Sequence, residues 1–522
     1  ALVRGKEIWV AEGEYRPSKL TTESDSGSAT FLIKPGIVIK GGFDGTETTD
    51  EPSGSAYNTI LTGDLAGNDD SLSTWPPSES DSVYLNDNVY HVVTMGGFEG
   101  ASGIMITGVT IKGGVAKGEG ENSVGAGILV RNVSPVLEWC CVTENLADSS
   151  GAGVYDNGSI KTIKNCLLKD NVSYRGNGGG LYACGKDSLN IDASVFDGNK
   201  VMDTLSVFGG GALFVKERAA RLVNCVLTRN SVNGKGGAII NENGTVNITN
   251  CTFANNSAVK GIGGIQNRDA STVILNTILW DLNGELADSG FTVTYSCVKD
   301  GYAGEGNISE NPQFVDIDNP EGDNGMYGDF DDGLLITDGS PCRDAATDVN
   351  APEIDILIKI RPVGVGTDMG AYEYVDMNKC NTLIFGKFRN GVFYEDNDLD
   401  RIGRMLHPVE IFQFSRSSYA RVMRAYVENN KYTRSKSEIK IYIKPINADN
   451  SDAESEIEMR LYKTGEENGL LVFQSLTPDY RGKKIIFTAE HGWHGCNNNW
   501  AYILYMSDNP EIHFRVPHSQ FR

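Results

Sequence analysis

The chain has 522 residues, and its 69 acidic and 46 basic residues give a formal net charge of −23. Such a surface repels phosphate backbones, which excludes nucleic acid as an expected partner. The 61 glycines and the lack of long apolar runs indicate a turn-rich all-β protein with no membrane-spanning helix. The chain begins at Ala1 without a signal-like segment, so it is either a mature chain or a piece whose true start lies elsewhere.

Residues 1–100 contain three apolar, strand-like runs separated by long polar loops. The loop at residues 64–89 is rich in aspartate, serine and asparagine, which suit turns rather than strands. We therefore predict that residues 1–100 form the first coils of a repeat structure together with a cap.

A sequence repeat occupies residues 101–290, and each copy opens on a glycine-rich corner. The corners begin at Gly125, Gly151, Gly178, Gly209, Gly236 and Gly263. Apolar runs that end in asparagine follow, at Asn145, Asn171, Asn199, Asn230 and Asn256. The steps between these asparagines are 26, 28, 31 and 26 residues. A period of this length indicates a solenoid or another repeat architecture.

Each copy holds short runs in which apolar and polar residues alternate, a pattern that predicts half-buried strands. One copy cannot bury its inward face alone, whereas stacked copies pair their strands in parallel, about 4.8 Å apart. A propeller blade would need a longer unit, of about forty residues. The predicted fold class is therefore all-β, a right-handed parallel β-helix that covers residues 1–375.

Equivalent positions of stacked coils lie above one another, so the repeat predicts columns of side chains. A column of small interior side chains lies five residues before each asparagine: Cys140, Cys166, Ser194, Cys225 and Cys251. An apolar column lies three residues before it: Val142, Leu168, Phe196, Leu227 and Phe253. The asparagines form an amide ladder at a turn and tolerate a left-handed backbone. The cysteines lack the close spacing of zinc ligands, which favours a structural role.

Residues 291–375 are predicted to form the closing coils, and they contain the most acidic stretch of the chain, residues 316–332. Glycine and asparagine separate its carboxylates, which are Asp316, Asp318, Asp323, Asp329, Asp331 and Asp332. Calcium takes oxygen ligands from flexible loops of this composition, although the spacing is not that of an EF-hand. The stretch is either a calcium site or a solvated acidic turn. Residues 394–400 are a weaker version of the same pattern.

The repeat stops after Val375, and aromatic and charged residues become more frequent in residues 376–522. Strand-like runs follow at residues 409–414, 420–428, 438–445, 456–463, 483–489 and 501–506. Their spacing predicts a β-sandwich-like C-terminal domain, which would cover the open edge of the β-helix. Residues 399–407 could form one short helix.

Residues 491–496 of this domain bring two histidines, a tryptophan and a cysteine close together in sequence. His491, His494 and Cys496 could meet a transition metal, and the alternative is a polar aromatic loop. Trp493 and Trp500 are candidates for stacking on a sugar ring. Cys380 and Cys496 could pair as a disulfide.

The sequence motifs of the repeats, Gly-Gly-Ala at the corners and Phe-x-x-Asn at the ladder, resemble those of chlamydial polymorphic outer-membrane proteins. Other stretches resemble bacterial secreted β-helix proteins with a choice-of-anchor C-terminal region: residues 7–17, 33–47, 58–69, 292–308, 311–316, 339–346 and 368–374. This resemblance implies a secreted or surface-attached protein with an adhesive role. The chain departs from it in residues 349–362 and in the long segment after residue 375.

A β-helix can also carry polysaccharide lyases and glycosidases, but a fold does not decide a function. A glycosidase needs two carboxylates across the scissile bond, and a lyase of this architecture needs a lysine or arginine base. The repeats offer charges that the sequence alone does not pair: Lys169, Asp170, Asp197, Arg229 and Lys235. Asp331 and Asp332 are similar to the paired aspartates of pectin hydrolases, but they lie in the acidic stretch. No catalytic residue is predicted.

The sequence therefore predicts a non-catalytic secreted or cell-surface protein that acts in adhesion, glycan contact or surface assembly. Its predicted partners are a glycan or another surface component, with self-association through the C-terminal domain. Calcium is the only cofactor that the composition suggests. The alternative is a polysaccharide lyase or glycoside hydrolase that acts on acidic polysaccharide in a lateral groove. A groove lined by a lysine or arginine, a carboxylate cluster and aromatic residues would favour that alternative.

Overall fold

The computed structural model describes most of residues 2–374 and, beyond them, the backbone of eleven strands. The described ranges are 2–4, 7–45, 57–78, 81–96, 102–157, 160–185, 187–203, 209–323, 325–328, 331–357, 361–362 and 365–374. Two compact units divide the chain: Ala1–Pro312 with Met369–Ala371, and Gln313–Asp368 with Tyr372–Arg522. The domain limits drawn from the sequence, with a boundary at residue 375, stay predictions.

The first unit is a coil whose successive turns add one strand to each of four sheets, named A to D here. Sheet A contains the strands Leu2–Arg4, Glu7–Ala11, Val38–Phe43, Ser102–Thr107, Ser134–Glu138, Thr162–Lys164, Leu189–Asp192, Ala219–Val223, Thr245–Thr249, Ser271–Leu275 and Phe291–Thr294. Sheet B contains Gly13–Tyr15, Thr59–Thr62, Thr110–Lys112, Cys141–Thr143, Leu167–Lys169, Val195–Asp197, Val226–Thr228, Thr252–Ala254, Ile278–Trp280 and Cys297–Val298.

Sheets C and D complete each turn of the coil. Sheet C contains Val115–Ala116, Leu146–Ala147, Val172–Ser173, Lys200–Val201, Ser231–Val232 and Ser257–Ala258. Sheet D contains Phe31–Ile33, Val93–Gly96, Ile128–Arg131, Val154–Asn157, Leu181–Cys184, Leu213–Lys216, Ile239–Glu242, Ile265–Arg268 and Leu286–Ala287. In the connections that the structure describes there are four short 3-10 helices: Ser26–Ser28, Asp69–Ser71, Asp81–Val83 and Gly120–Ser123.

The strands of these four sheets pair in parallel, with one antiparallel pair where Leu2–Arg4 meets Glu7–Ala11. The described part of the first unit is thus a parallel β-helix, and the predicted fold class is confirmed there. The chain takes this form because each coil offers short alternating strands whose inward residues are buried only by the coils above and below.

The predicted apolar column exists residue for residue. In sheet B, Val142 is paired with Leu168, Leu168 with Phe196, and Phe196 with Leu227 and then Phe253. All five side chains are at most 1 % exposed and belong to one continuous core. Each buried side chain of this size contributes about 1.5–3 kcal/mol relative to an exposed one.

The predicted column of small side chains also faces the interior, and its members are linked by hydrogen bonds. The backbone N–H of Cys166 donates to Oγ of Ser194 (3.1 Å), and that of Cys225 donates to Sγ of Cys251 (3.3 Å). Cys140, Cys166, Cys225 and Cys251 are buried and carry free thiols. Each small side chain therefore satisfies a backbone donor that the corner between sheets A and B leaves unpaired.

The amide ladder is confirmed, and Asn230 shows its geometry. Its Oδ1 accepts hydrogen bonds from the backbone N–H and the Nδ2 of Asn199, both at 3.0 Å. Its own Nδ2 donates to Oδ1 of Asn256 (2.9 Å) and to the carbonyl of Phe196 (2.9 Å). The left-handed backbone falls on the residue before each asparagine, such as Arg229 with φ 54°, and not on the asparagine itself.

The glycine corners of the repeat leave no room for a side chain, as the sequence predicted. Gly151 has φ 63°, and a Cβ there would lie 2.5 Å from the carbonyl oxygen of Val154. A Cβ on Gly237 would lie 2.5 Å from the carbonyl oxygen of Ser257. The coils can stack at this corner because the backbones approach each other without Cβ atoms between them.

In the second unit, the described residues of the range 313–368 and residues 372–374 form turns, and they contain a buried ion pair. Arg361 Nη1 contacts Glu373 Oε1 at 2.5 Å, and both side chains are almost fully buried. The same carboxylate accepts the backbone N–H of Asp368 (3.0 Å). A buried pair of this kind holds a turn together because removing either partner leaves an uncompensated charge.

Beyond residue 375 the described strands pair antiparallel wherever their pairing is defined. Their bounds are Cys380–Asn381, Gly386–Arg389, Val392–Glu395, Phe414–Ser415, Arg424–Ala425, Glu438–Ile446, Ile457–Glu467, Leu470–Ser475, Lys484–Ala489, Trp500–Leu504 and Phe514–Pro517. These strands agree with the β-rich character expected of residues 376–522. The sandwich arrangement stays a prediction, and the short helix proposed at residues 399–407 lies outside the described residues.

Candidate functional site

A long loop folds over the outer face of sheet B at its N-terminal end. It leaves the strand Thr59–Thr62, runs through residues 63–88, and returns to sheet D at Val93–Gly96. Between this loop and the strand Thr110–Lys112 lies a cavity of about 400 Å³, which we call the lateral pocket. A pocket of this size accommodates one or two sugar rings or another small ligand.

Carboxylates dominate the lining of the lateral pocket. Five of them line it, Glu14, Asp64, Asp69, Asp70 and Glu144, against two cationic side chains, Arg16 and Lys112. Arg16 is already engaged, because it forms an ion pair with Glu14 and its Nε donates to the carbonyl of Asp64 (2.7 Å). The pocket therefore carries surplus negative charge and offers many hydrogen-bond acceptors.

Asp69 has the most perturbed carboxyl group of the pocket. Burial raises its pKa to about 6, and the nearby carboxylates of Asp64 and Asp87 act in the same direction. A hydrogen bond from Asn88 Nδ2 to Asp69 Oδ2 (2.8 Å) and the charge of Lys112 oppose that rise. A carboxyl group with this pKa can hold or release a proton near neutral pH.

Trp75 closes one side of the pocket. Its indole Nε1–H donates to the backbone carbonyl of Asp170 (2.6 Å), which fixes the loop to the corner between sheets B and C. The ring also packs against the small apolar cluster of Leu85, Val115 and Leu146. An indole held in this way gives the pocket an apolar wall beside its carboxylates.

Four of the five charges that the sequence left unpaired meet next to Trp75, in what we call the charged cluster: Lys169, Asp170, Asp197 and Arg229. Arg229 binds the fully buried carboxylate of Asp197 through Nε (2.8 Å) and Nη2 (2.5 Å). Lys169 Nζ lies 3.6 Å from the same carboxylate. They meet because Lys169 and Asp197 are register partners in sheet B.

Asp170 and Lys235 occupy different places in the coil. Burial raises the pKa of Asp170 to about 6, with the neighbouring Asp197 charge acting in the same direction. Lys235 is not part of the charged cluster, because it lies at the glycine corner before sheet D, against Gly209 and Gly261. Four of the charges that the sequence left unpaired thus lie in one cluster, and Lys235 lies outside it.

The predicted calcium stretch shows a different arrangement. Asp316, Asp318, Asp323 and Asp331 are exposed, and Asp329 lies outside the described residues. Asp332 is buried and accepts hydrogen bonds from Tyr372 Oη (2.9 Å) and the backbone N–H of Gly328. Among the described residues no three histidine, cysteine, aspartate or glutamate side chains gather as a metal-binding group. Calcium binding by this stretch stays a prediction.

The candidates in the C-terminal region cannot be placed in the same way. Residues 491–496, which include His491, Trp493, His494 and Cys496, lie outside the described residues. Trp500 begins the strand Trp500–Leu504. Sugar stacking, metal binding and the Cys380–Cys496 disulfide therefore stay predictions.

Sequence reasoning missed the lateral pocket, although one signal for it was present. Residues 63–70 place three aspartates and an asparagine directly after a strand of sheet B. The sequence identifies the loop as polar and predicts only that residues 1–100 form the first coils together with a cap. Its contact with the strand Thr110–Lys112 depends on how the first coils stack, and no local pattern contains that information.

Comparison with known proteins agrees with this architecture. The family model described as "Right handed beta helix region" matches residues 97–279. This match agrees with the parallel β-helix that the described strands of the first unit form, and with the right hand that the sequence predicts for it. No curated protein sequence matches the chain. Among the described residues, no helix has the length and hydrophobicity of a membrane span.

Two solved structures are similar to the chain at a low level. The crystal structure of pectate lyase Pel9A is 13 % identical, with a TM-score of 0.42, and the match covers 72 % of this chain and 89 % of that one. The tailspike gp42 of Acinetobacter phage vb_AbaP_AS12 is 12 % identical, with a TM-score of 0.21, over 97 % of this chain and 83 % of that one. At these scores neither structure bears on the function.

Proposed function

We propose that this chain is a secreted or cell-surface β-helix protein that contacts glycans through the lateral pocket. The observation that carries the proposal is the loop at residues 63–88, which folds over sheet B and encloses carboxylates beside Trp75. Sugar hydroxyls donate to carboxylates, and the apolar face of a sugar ring packs on an indole. The rigid stack of sheets below the loop holds these groups in place.

The charge of the pocket restricts which glycans fit. Five carboxylates against two cations repel uronic acids and other acidic sugars when no cation is added. Neutral sugars avoid that repulsion, and amino sugars gain from it. We therefore expect neutral or amino sugars to be preferred over acidic ones in the presence of a chelator.

A glycan array probed with the full chain tests the proposal. We expect binding to neutral or amino sugars, and we expect Trp75→Ala to weaken it by about tenfold or more. Trp139→Ala is the matched control, because Trp139 is 43 % exposed at the corner between sheets A and B and does not line the pocket. If both variants bind like the wild type, the pocket is not the glycan site.

A second variant in the lateral pocket distinguishes a change in binding from a loss of the fold. Asp70 is exposed at the pocket, so Asp70→Asn removes one charge with little effect on the fold. We expect this variant to keep the melting temperature of the wild type and to bind acidic sugars more strongly than the wild type does. If the ratio of binding to neutral and to acidic sugars does not change, the lateral pocket is not the glycan site.

The second candidate function is a polysaccharide lyase or glycoside hydrolase, and the carboxyl groups favour it. Asp69 and Asp170 both have a pKa of about 6, and both have lysines nearby, Lys112 and Lys169. Groups poised in this way can transfer protons in glycan cleavage. Incubation with neutral and acidic polysaccharides tests this, because new reducing ends or unsaturated products show cleavage. Products that disappear in Asp69→Asn or Asp170→Asn would establish the enzyme and overturn the non-catalytic proposal.

A further inference from the structure

Three buried oxygen atoms near the base of the loop accept no hydrogen bond from the described part of the chain. They are Oδ1 of Asn68, Oδ1 of Asp69 and Oδ1 of Asn88. Asn68 and Asp69 are adjacent, and Asn88 is only 1 % exposed. Unsatisfied buried acceptors are costly. Three of them on residues that are adjacent in sequence or joined by the hydrogen bond from Asn88 to Asp69 indicate a missing partner that donates or is positively charged.

The two amide groups cannot be rotated to remove the problem. Asn88 Nδ2 donates to Asp69 Oδ2 (2.8 Å) and to the carbonyl of Gly113 (2.7 Å). Asn68 Nδ2 donates to Asp87 Oδ1 (3.3 Å). Both nitrogens thus face acceptors, and exchanging nitrogen and oxygen would set acceptor against acceptor.

The charges around this turn favour a cation as the missing partner. The negative charges of Asp64 and Asp87 lie close enough to raise the pKa of Asp69, and the positive charge of Lys112 opposes them. Asp64 accepts backbone N–H groups of Gly67 (2.6 Å) and Asp69 (3.1 Å). The negative charges of Asp64, Asp69 and Asp87 therefore outnumber the positive charge of Lys112 that acts on Asp69.

We propose that Asn68, Asp69 and Asn88 bind one hard cation, with calcium as the best chemical fit, and that this ion fixes the loop at residues 63–88. Calcium accepts amide and carboxylate oxygens in flexible geometry and completes its shell with water. Since the proposed ligands include one carboxylate only, we expect a dissociation constant of about 10⁻⁴–10⁻³ M, as in extracellular calcium modules. The site is separate from the predicted one at residues 316–332.

Calorimetric titration of the full chain with calcium chloride tests the proposal without any glycan. Asp69→Asn should weaken the binding by about tenfold or more, because it removes the charged ligand. Asp187→Asn is the matched control for charge, since Asp187 is exposed on the connection between sheets D and A. Asp316→Asn/Asp318→Asn separates this site from the acidic stretch.

The proposal is supported if Asp69→Asn weakens calcium binding and the two control variants preserve it. Absence of binding in the wild type, which would leave water as the partner, overturns it, as does binding that Asp69→Asn does not change. If Asp69→Asn fails to fold, wild-type crystals soaked in a lanthanide decide: an anomalous peak bonded to Asp69 and Asn88 supports the site, and its absence there refutes it. Failure of glycan binding alone leaves the ion result unaffected.

Discussion

Asp281 takes the place of an asparagine at the last rung of the amide ladder. Its Oδ1 accepts the backbone N–H of Asn256 (2.9 Å) and the Nδ2 of the same residue (2.7 Å), as the asparagine Oδ1 atoms do below it. The substitution brings a carboxyl group into a fully buried position next to Glu285, whose two oxygens accept the backbone N–H of Asp281 (3.0 and 3.2 Å).

This rung should make stability depend on pH. Burial raises the pKa of Asp281 to about 7, and burial together with the Asp281 charge raises that of Glu285 to about 9, while Lys299 opposes both shifts. Groups with a raised folded-state pKa stabilise the protein at low pH, and that contribution is lost as the pH rises through about 7 to 9.

Asp281→Asn should flatten this dependence. It restores the amide of the other rungs and removes the negative charge beside Glu285, so we expect a melting temperature at about pH 8 that is higher by about 2–4 °C. Thermal denaturation between about pH 5 and about pH 9 measures the effect. If the melting temperatures of wild type and variant change equally with pH, the Asp281–Glu285 pair does not cause the pH dependence.

An interior rung of the ladder should be important for stability. Asn230→Ala removes the acceptor of the backbone N–H of Asn199, one of the two acceptors of its Nδ2, and a donor to the carbonyl of Phe196. We therefore expect a loss of about 3 kcal/mol in the free energy of unfolding. Asn247→Ala, at an exposed position of sheet A, should cost less than about 0.5 kcal/mol. Urea denaturation of the two variants measures the difference. Equal losses would show that a ladder asparagine contributes no more to stability than an exposed asparagine does.

The column of small side chains predicts which replacements of Cys225 are tolerated. Its neighbour in the column is Ser194, so Cys225→Ser should keep a small acceptor and cost less than about 1.5 kcal/mol. Cys225→Leu should cost about 1–3 kcal/mol or more, because the interior has no space for the added atoms. Denaturation curves check the order of the two variants, and a greater loss for serine would contradict a purely structural column.

The Asp69 carboxyl group should destabilise the cation-free protein as it ionises. Its raised pKa of about 6 means that the stability it contributes is present at low pH and is lost as the pH rises through about 6. In EDTA, Asp69→Asn should therefore lose less melting temperature than the wild type between about pH 5 and about pH 8. Asp187→Asn provides the reference. If Asp69→Asn loses as much melting temperature as Asp187→Asn over this pH range, the ionisation of Asp69 does not destabilise the fold.

Much of the solenoid can be predicted from sequence because its residues repeat the same environment. Val142, Phe196 and Phe253 lie in one column since the coil length, and not a distant contact, sets their positions. The lateral pocket could not be predicted, because Trp75 reaches Asp170 across 95 residues of chain and belongs to no repeat. Asp281 also escaped notice, since its rung lacks the asparagine that marks the other copies.

Glycan binding at the lateral pocket is tested most directly by a crystal structure of the full chain with an oligosaccharide selected on the glycan array. We expect sugar density in the lateral pocket, against Trp75 and the carboxylates of Asp64 and Asp69. Density at Trp493 and Trp500 with an empty lateral pocket would contradict this expectation.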